Sequence, residues 1–212
     1  MAGTIAISSS YGALGDPIGR EVASRLRVEF FDRLIPIAVA RQLAVEPEEA
    51  IAKDWQAPGR MARVLAALAS ISVSDMGADV LRDAHATPDA FRHATESVLR
   101  QIADGPGGVI LGRASMVVLA DRPDVLSVRL DGPAQARIRQ AARRSGIDEE
   151  VARKDQKETD GARSAYMHAF YRQSQDNPHL YHVVLDSTAL SFETCVEIIL
   201  RAARDRLGTV TI

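Results

Sequence analysis

The sequence predicts an α/β fold in which a parallel sheet lies between layers of helices. Three observations predict it. Short apolar runs rich in β-branched residues occur at 4–8, 108–111, 125–130 and 182–185, with 28–31 as a further short candidate. Helical patterns separate these runs, as expected when crossovers join parallel strands. The stretch "IAISSSYGALGDPIGREVASRL" (5–26) passes from an apolar strand through glycines into an amphipathic helix, which is the layout of a phosphate-binding loop.

The elements follow in order. The first helix is marked by Asp16 as its expected N-cap and Pro17 at its first position. Ile18, Val22 and Leu26 recur every four residues and give it one buried stripe. Residues 33–104 are almost all helical in pattern and read as an insertion between strands. "PEEAIAKDW" opens on Pro47 with acids in its first turn, a second helix is expected over 60–68, and "PDAFRHATESVLRQIA" follows Thr87 as a cap and Pro88. "DGPGG" (104–108) breaks that last helix before the next strand. A helix is expected over 133–144, and "SGIDEE" (145–150) stops it and caps a polar helix over 150–173. Asn177 and Pro178 make a turn. The final helix runs over about 191–207, with Val196, Ile199, Ala203 and Leu207 on one face and Gly208 as its stop.

The bulk numbers narrow the class of function. A chain of 212 residues suits one domain carrying an insertion or a lid, and 46% hydrophobic with 25% charged residues is enough to bury a core. A formal net charge of −2 argues against a nucleic-acid partner, and 5% aromatics leave few stacking platforms for a single strand. The lone Cys195 allows no intrachain disulfide, so a reducing compartment is expected. The start "MAGTIAISSS" lacks the charged region of a signal peptide, and no apolar run approaches the ~20 residues of a membrane span. These features predict a cytoplasmic protein. The mostly apolar stretch 61–81 supplies either core or a helical dimer face, so a homodimer is an open expectation.

The opening loop is the main chemical candidate. Successive backbone N–H groups and the positive end of a helix hold a phosphate, and Gly12 and Gly15 let the backbone come close. Laid on G-x-x-x-x-G-K-[ST], the anchors fall on Ser9, Leu14, Gly15 and Asp16, so no lysine stands where it would reach the β- and γ-phosphates. Tyr11 lies within the loop. Asp16 is either a helix cap or a magnesium ligand, and Arg20, one turn on, either is solvated or supplies part of the missing charge. Without a ligand, the same stretch is a tight strand-to-helix turn.

Further along, Gly112 and Arg113 fall at the C-terminal end of a strand, where open α/β sheets bind ligands and where an arginine grips phosphate with its planar fork. The alternative is an arginine paired at a strand end. Residues 129–144 hold five arginines and one acid; Arg137, Arg139, Arg143 and Arg144 form either a solvated face or a lid carrying positive charge. Asp160 and Arg163 lie i,i+3 and can pair. Tyr166, Phe170 and Tyr171 read as packing rather than base stacking. The five histidines are scattered, with no zinc spacing and no G-x-S-x-G elbow.

Several stretches together resemble one family. "ISSSYGALGDPIGREVASRL", "FFDRLI", "VILGRASMVVLADRPDVLSVRLDGPAQARIRQ", "KETDGARSAYMHAFY" and "HVVLDSTALSFE" are similar, in matching order, to bacterial cytidylate kinases and more closely to the cytidylate kinase-like family. Only 45–105 matches weakly. The resemblance implies a P-loop kinase-like domain over 1–212, with core 1–33, 105–145 and 180–212, a helical acceptor-side insertion 34–104 and a lid 146–179. It implies ATP with Mg²⁺ as phosphoryl donor and a nucleoside monophosphate or related small molecule as acceptor. It places Gly12 and Gly15 at the phosphate loop, Asp32 beside the acceptor pocket, Arg113 at the acceptor nucleotide, and Asp160 and Arg163 in the lid pattern. With the loop residues Tyr11, Gly12, Gly15, Asp16 and Arg20, Arg137 is a cofactor-binding candidate; Arg113, Arg163 and Asp160 are the catalytic candidates, and Asp16 the metal candidate. The chain departs from the pattern in having Leu14 for a glycine, Ala114 for the acid after the G-R pair, Gln156 for an arginine, and no lysine in the loop. Those losses leave open a nucleotide-binding regulatory scaffold without catalysis.

Overall fold

The computed structural model describes residues 3–32 and 88–208, with side chains from residue 92 in the second stretch. The expected helices over 47–55 and 60–68, the cap at Thr87 and the apolar stretch 61–81 lie outside the described residues. The chain divides into two compact units, one of residues 1–32 and 99–212 and one of residues 33–98. The account below concerns the first unit.

Five parallel strands form one sheet: β1 (Thr4–Ser9), β2 (Phe30–Phe31), β3 (Gly108–Leu111), β4 (Val125–Asp131) and β5 (Val183–Asp186), in the spatial order β2-β3-β1-β4-β5. Helices join them: α1 (Gly15–Leu26), α2 (Pro88–Asp104), the single turn α3 (Ser115–Val118), α4 (Ala134–Ser145), α5 (Glu149–Tyr171) and α6 (Phe192–Leu207). The strand order reverses around β1, which pairs with β3 on one side and β4 on the other. Because every strand runs the same way, the loops after β1, β2, β3, β4 and β5 emerge at one edge of the sheet.

The register explains the layers. Side chains alternate along a strand, so Ile5 and Ile7 fall on one face with their partners Val109, Leu126 and Val128. Ile18, Val22 and Leu26 of α1 and Val196, Ile199 and Ala203 of α6 cover that face, forming the main apolar core. The opposite face of β1 and β4 carries Ala6, Ser8, Ser127 and Arg129, all buried. A sheet face with serines and an arginine under cover needs polar partners, and it is here that the site is built.

The helix termini follow their local chemistry, with one correction. Asp16 is not the cap of α1. Leu14 occupies that position in a left-handed conformation (φ 59) with no side-chain cap, and Asp16 lies in the first turn. The expected stop and cap within 145–150 are present: the left-handed Gly146 closes α4 and Asp148 accepts from the Glu150 amide, while Ser191 caps α6 by accepting from the Thr194 amide. Asn177 caps the short 3₁₀ turn Pro178–Leu180.

Candidate functional site

The loop after β1 is held from three directions. The Ser10 amide donates to the Leu130 carbonyl at 3.1 Å, and the Ser187 hydroxyl donates to the Ala13 carbonyl at 2.8 Å. Gln140 of α4 donates to the Gly12 carbonyl at 2.9 Å. Gly12 has φ 75, and a Cβ on it would stand 2.3 Å from the Arg137 carbonyl oxygen. Its missing side chain thus lets the backbone of α4 lie against the loop. A Cβ on Gly15 would stand 2.5 Å from the Ser9 side chain, so this glycine brings α1 onto the end of β1.

Three guanidinium groups from three elements are tied to three consecutive residues, the last of β1 and the first two of the loop. Arg163 of α5 donates to the Ser9 carbonyl at 2.6 Å. Arg129 of β4 donates to the Ser10 hydroxyl at 2.8 Å and to the Ser8 hydroxyl at 2.9 Å. Arg137 of α4 donates to the Tyr11 carbonyl at 2.7 Å and to the Gly132 carbonyl at 2.8 Å. Arg129 and Arg137 are buried, whereas 43% of the Arg163 side chain is open to solvent. Arg163 nevertheless has its proton affinity pulled below the arginine range, first by desolvation and then by the charges of Arg129 and Arg137, with Asp160 and Asp32 opposing.

One carboxylate sits inside this ring. Asp160 accepts from the Tyr11 amide at 2.8 Å, from Arg137 at 2.8 Å and from Gln156 at 2.9 Å. Burial alone would raise its pKa, but the Tyr11 amide, Gln156 and Arg137 together hold it below the usual carboxylate value. Asp131 adds a second charge, 3.3 Å from Arg137 and 3.5 Å from Arg129, and the exposed Asp176 stands 3.6 Å from Arg129.

Tyr11, Gly12, Arg137, Asp160 and Arg163 therefore come together from the sequence-predicted set. Asp16 and Arg20 do not join them: Arg20 pairs with Asp16 one turn away at 2.9 Å on the exposed side of α1, and its guanidinium lies 4.7 Å from the Phe30 ring centre. Asp32 follows β2. Arg113 follows β3 within three consecutive left-handed residues, Gly112 (φ 80), Arg113 (φ 58) and Ala114 (φ 52). Two non-glycine residues held that way cost about 1–3 kcal/mol each, a type of strain that concentrates at functional sites. Among the described residues, no group of three His, Cys, Asp or Glu side chains is arranged to hold a metal ion.

Arg129, Gln140 and Ser187 were not singled out from the sequence, and Gln156 was named only as standing where the family has an arginine. A signal existed for Arg129, a charge inside the apolar strand "VLSVRLD". Gln140 and Ser187 are ordinary polar residues whose partners lie far along the chain, whereas Gln156 meets Asp160 one turn on.

One family profile matches residues 4–189 of the chain. The chain belongs to the cytidylate kinase-like family. Its fold is a five-stranded parallel sheet flanked by helices. An uncharacterized protein from Eubacterium ventriosum superposes on this cytidylate kinase-like chain with a TM-score of 0.65 at 17% identity, over 96% of this chain and 99% of that one. A shikimate kinase from Bacteroides thetaiotaomicron gives a TM-score of 0.48 at 12% identity, covering 95% of this chain and 96% of that one. One from Acinetobacter baumannii in complex with shikimate gives 0.47 at 14%, covering 98% and 97%. A curated uronate isomerase of Corynebacterium glutamicum is 25% identical over 108 residues, 51% of this chain and 20% of that protein. The chain thus spans about a fifth of that curated relative's length.

Two surface cavities flank the unit. One of about 550 Å³ adjoins the loop and is lined by Leu14, Ala136, Arg139, Gln140, Arg143, Arg144 and Thr188. A larger groove of about 830 Å³ is lined by α6 residues alone and includes no loop residue. The smaller one is the better candidate, because it lies beside the loop and carries three arginines. No helix among the described residues is long and apolar enough to cross a membrane.

Proposed function

We propose that the protein transfers a phosphoryl group from ATP, with Mg²⁺, to a nucleoside monophosphate or a related small molecule. The observation that carries this reading is the set of three guanidiniums tied to Ser9, Ser10 and Tyr11. Phosphoryl transfer needs positioning and charge neutralisation more than covalent help. A ring of arginines fixed to the loop supplies the cation that the absent lysine would otherwise bring. At the start of α1, the amides of the cap residue Leu14 and of Gly15 and Asp16 donate to no backbone acceptor, and such amides are a natural anion seat. The 550 Å³ cavity beside Leu14 is of ligand-pocket size, is lined in part by Arg139, Arg143 and Arg144, and suits the nucleoside of the donor. Asp32 and Arg113, at the ends of β2 and β3, serve the acceptor, and α5 serves as the lid over 146–179.

The test is a coupled ADP-release assay with purified protein, ATP, Mg²⁺ and a panel of nucleoside monophosphates and small hydroxy acids. ADP formation that requires one acceptor is the expected result. Arg163→Ala should lower kcat/KM by about 10²–10³, the usual loss when one charge-stabilising donor is removed. Arg113→Ala should raise the acceptor's KM. Absence of turnover with every acceptor removes the kinase reading.

A second reading is a nucleotide-binding regulatory module without catalysis. It is favoured by the Tyr11 amide already carrying the Asp160 carboxylate and by Gly15 in the lysine's place. Calorimetric ATP binding with no turnover supports it.

A further inference from the structure

We propose that Asp160 is a built-in anion occupying the Tyr11–Arg137 corner of the loop, and that the terminal phosphate of a polyphosphate ligand displaces it from that corner. The inference rests on reading the loop as a phosphate site and deepens that reading.

The corner has the donor set of an anion site. A main-chain N–H from the loop and a guanidinium from α4 converge on the two oxygens of one carboxylate, each at 2.8 Å. The carboxylate belongs to α5, about 150 residues away in sequence from the amide that it caps. A phosphate oxygen makes the same two contacts, so the two anions compete for one seat.

The seat is incompletely filled by its present occupant. The Asp160 carboxylate reaches Tyr11 and Arg137 but stops 4.0 Å from Arg163, beyond hydrogen-bonding distance. The one hydrogen bond of Arg163 goes to the neutral Ser9 carbonyl, and Asp160 attracts it only across a 4.0 Å ion pair while Arg129 and Arg137 repel it. A phosphate has more oxygens and up to two charges. It can bridge Arg137 and Arg163 together, which a single planar carboxylate does not. The ring's remaining acids are already committed: Asp131 faces Arg129 and Arg137, and Asp155 lies 3.5 Å from the Tyr11 hydroxyl. The anion that leaves is therefore Asp160. With it goes the direct tie between α5 and the Tyr11 amide, while Gln156, on the same helix, keeps Asp160 company on release.

Inorganic tripolyphosphate is the probe, titrated by calorimetry at neutral pH into the whole chain and into Asp160→Ala, Asp160→Asn and Arg137→Gln. Asp160→Ala should bind at least about fivefold tighter than the parent, because no competitor remains, and Arg137→Gln at least tenfold weaker. In the unaltered protein, the Tyr11 amide resonance should move on titration. In Asp160→Ala that resonance should already be shifted before any ligand is added. Parent binding with Asp160→Ala no tighter overturns the displacement while leaving the phosphate loop intact. No binding by the parent and by Asp160→Ala overturns the loop reading and the displacement together. Should the alanine variant fail to fold, Asp160→Asn and the Tyr11 resonance of the parent carry the same decision.

Discussion

Gly12→Ala tests how closely α4 is pressed against the loop, and two other glycines separate the contributions. Gly146 also has a positive φ (65), but a Cβ there meets nothing within 4 Å. Gly146→Ala should therefore cost only the left-handed strain of an L-residue, about 1–2 kcal/mol. Gly161 lies inside α5 on an exposed position with open space around it. Gly161→Ala should stabilise by about 0.5–1 kcal/mol through helix propensity alone. At Gly12 the same strain is joined by a collision, since the new Cβ would lie 2.3 Å from the Arg137 carbonyl oxygen and 2.9 Å from its carbon. Main chain cannot yield as a side-chain end can, so the loop must move. Three hydrogen bonds depend on its present place: Gln140 to Gly12, Arg137 to Tyr11, and Tyr11 to Asp160. One is neutral, worth about 1 kcal/mol, and two involve charged partners worth about 1.5–3 kcal/mol each. Even with half of that retained, Gly12→Ala should cost about 3–5 kcal/mol in total, a large share of a typical stability of 5–15 kcal/mol. Urea unfolding of the three variants measures this directly. At about 2–4 °C per kcal/mol for a chain of this size, thermal melting should place Gly161→Ala slightly above the parent, Gly146→Ala slightly below, and Gly12→Ala at least about 6 °C below. A Gly12→Ala midpoint equal to that of Gly146→Ala would refute the close approach of α4.

Further tests address the polar side of the sheet. Arg129→Met leaves the Ser8 and Ser10 hydroxyls without their buried partner and should cost about 2–4 kcal/mol; removing both hydroxyls as well should recover part of that in a denaturation cycle. The His182 ring accepts the Ser127 amide at 2.9 Å through Nδ1, and burial followed by the charge of Arg206 lowers its pKa below 6.5. Its stabilisation is complete above the unfolded value and is lost as pH falls below about 6.5, so His182→Gln should flatten the melting-temperature slope between pH 7 and 5. Asp160 is also held below its ordinary value, so its stabilisation is present above about pH 4 and is lost on further acidification. Asp160→Asn should remove that part of the acid limb and leave the His182 part unchanged, as read from melting curves between pH 2.5 and 7.

Much of the fold was legible because it depends on local periodicity and punctuation. The strand at 108–111 was placed to the residue, and those around 4–8, 125–130 and 182–185 within a residue or so, since alternating burial writes itself into neighbouring side chains. The stop and cap within 145–150 were legible for the same reason. The cap at Asp16 was misread. Its composition suits a cap, but the Gly12–Leu14 turn delivers the chain to the helix two residues earlier, and Asp16 then finds Arg20 at i+4. The site divides along the same line. Arg137, Asp160 and Arg163 stood out as charge patterns, and the G-R turn at 112–113 as a strand-end motif. That Arg137 turns inward, that Asp160 reaches back to Tyr11, and that Arg129 lies under the loop depended on β4, α4 and α5 closing around one sheet edge.

By itself, then, the sequence determined which segments become strands and helices, which faces are apolar, and where glycines interrupt them, because each is set by side chains within a few positions of one another. Only the tertiary structure decided which charges meet. Contacts such as Ser9 with Arg163 or Tyr11 with Asp160 join residues about 150 positions apart, and no local pattern encodes a partner at that distance. They exist because parallel strands bring all their C-terminal ends to one edge, where buried cations must find carbonyls, hydroxyls or an anion to replace the water they have lost.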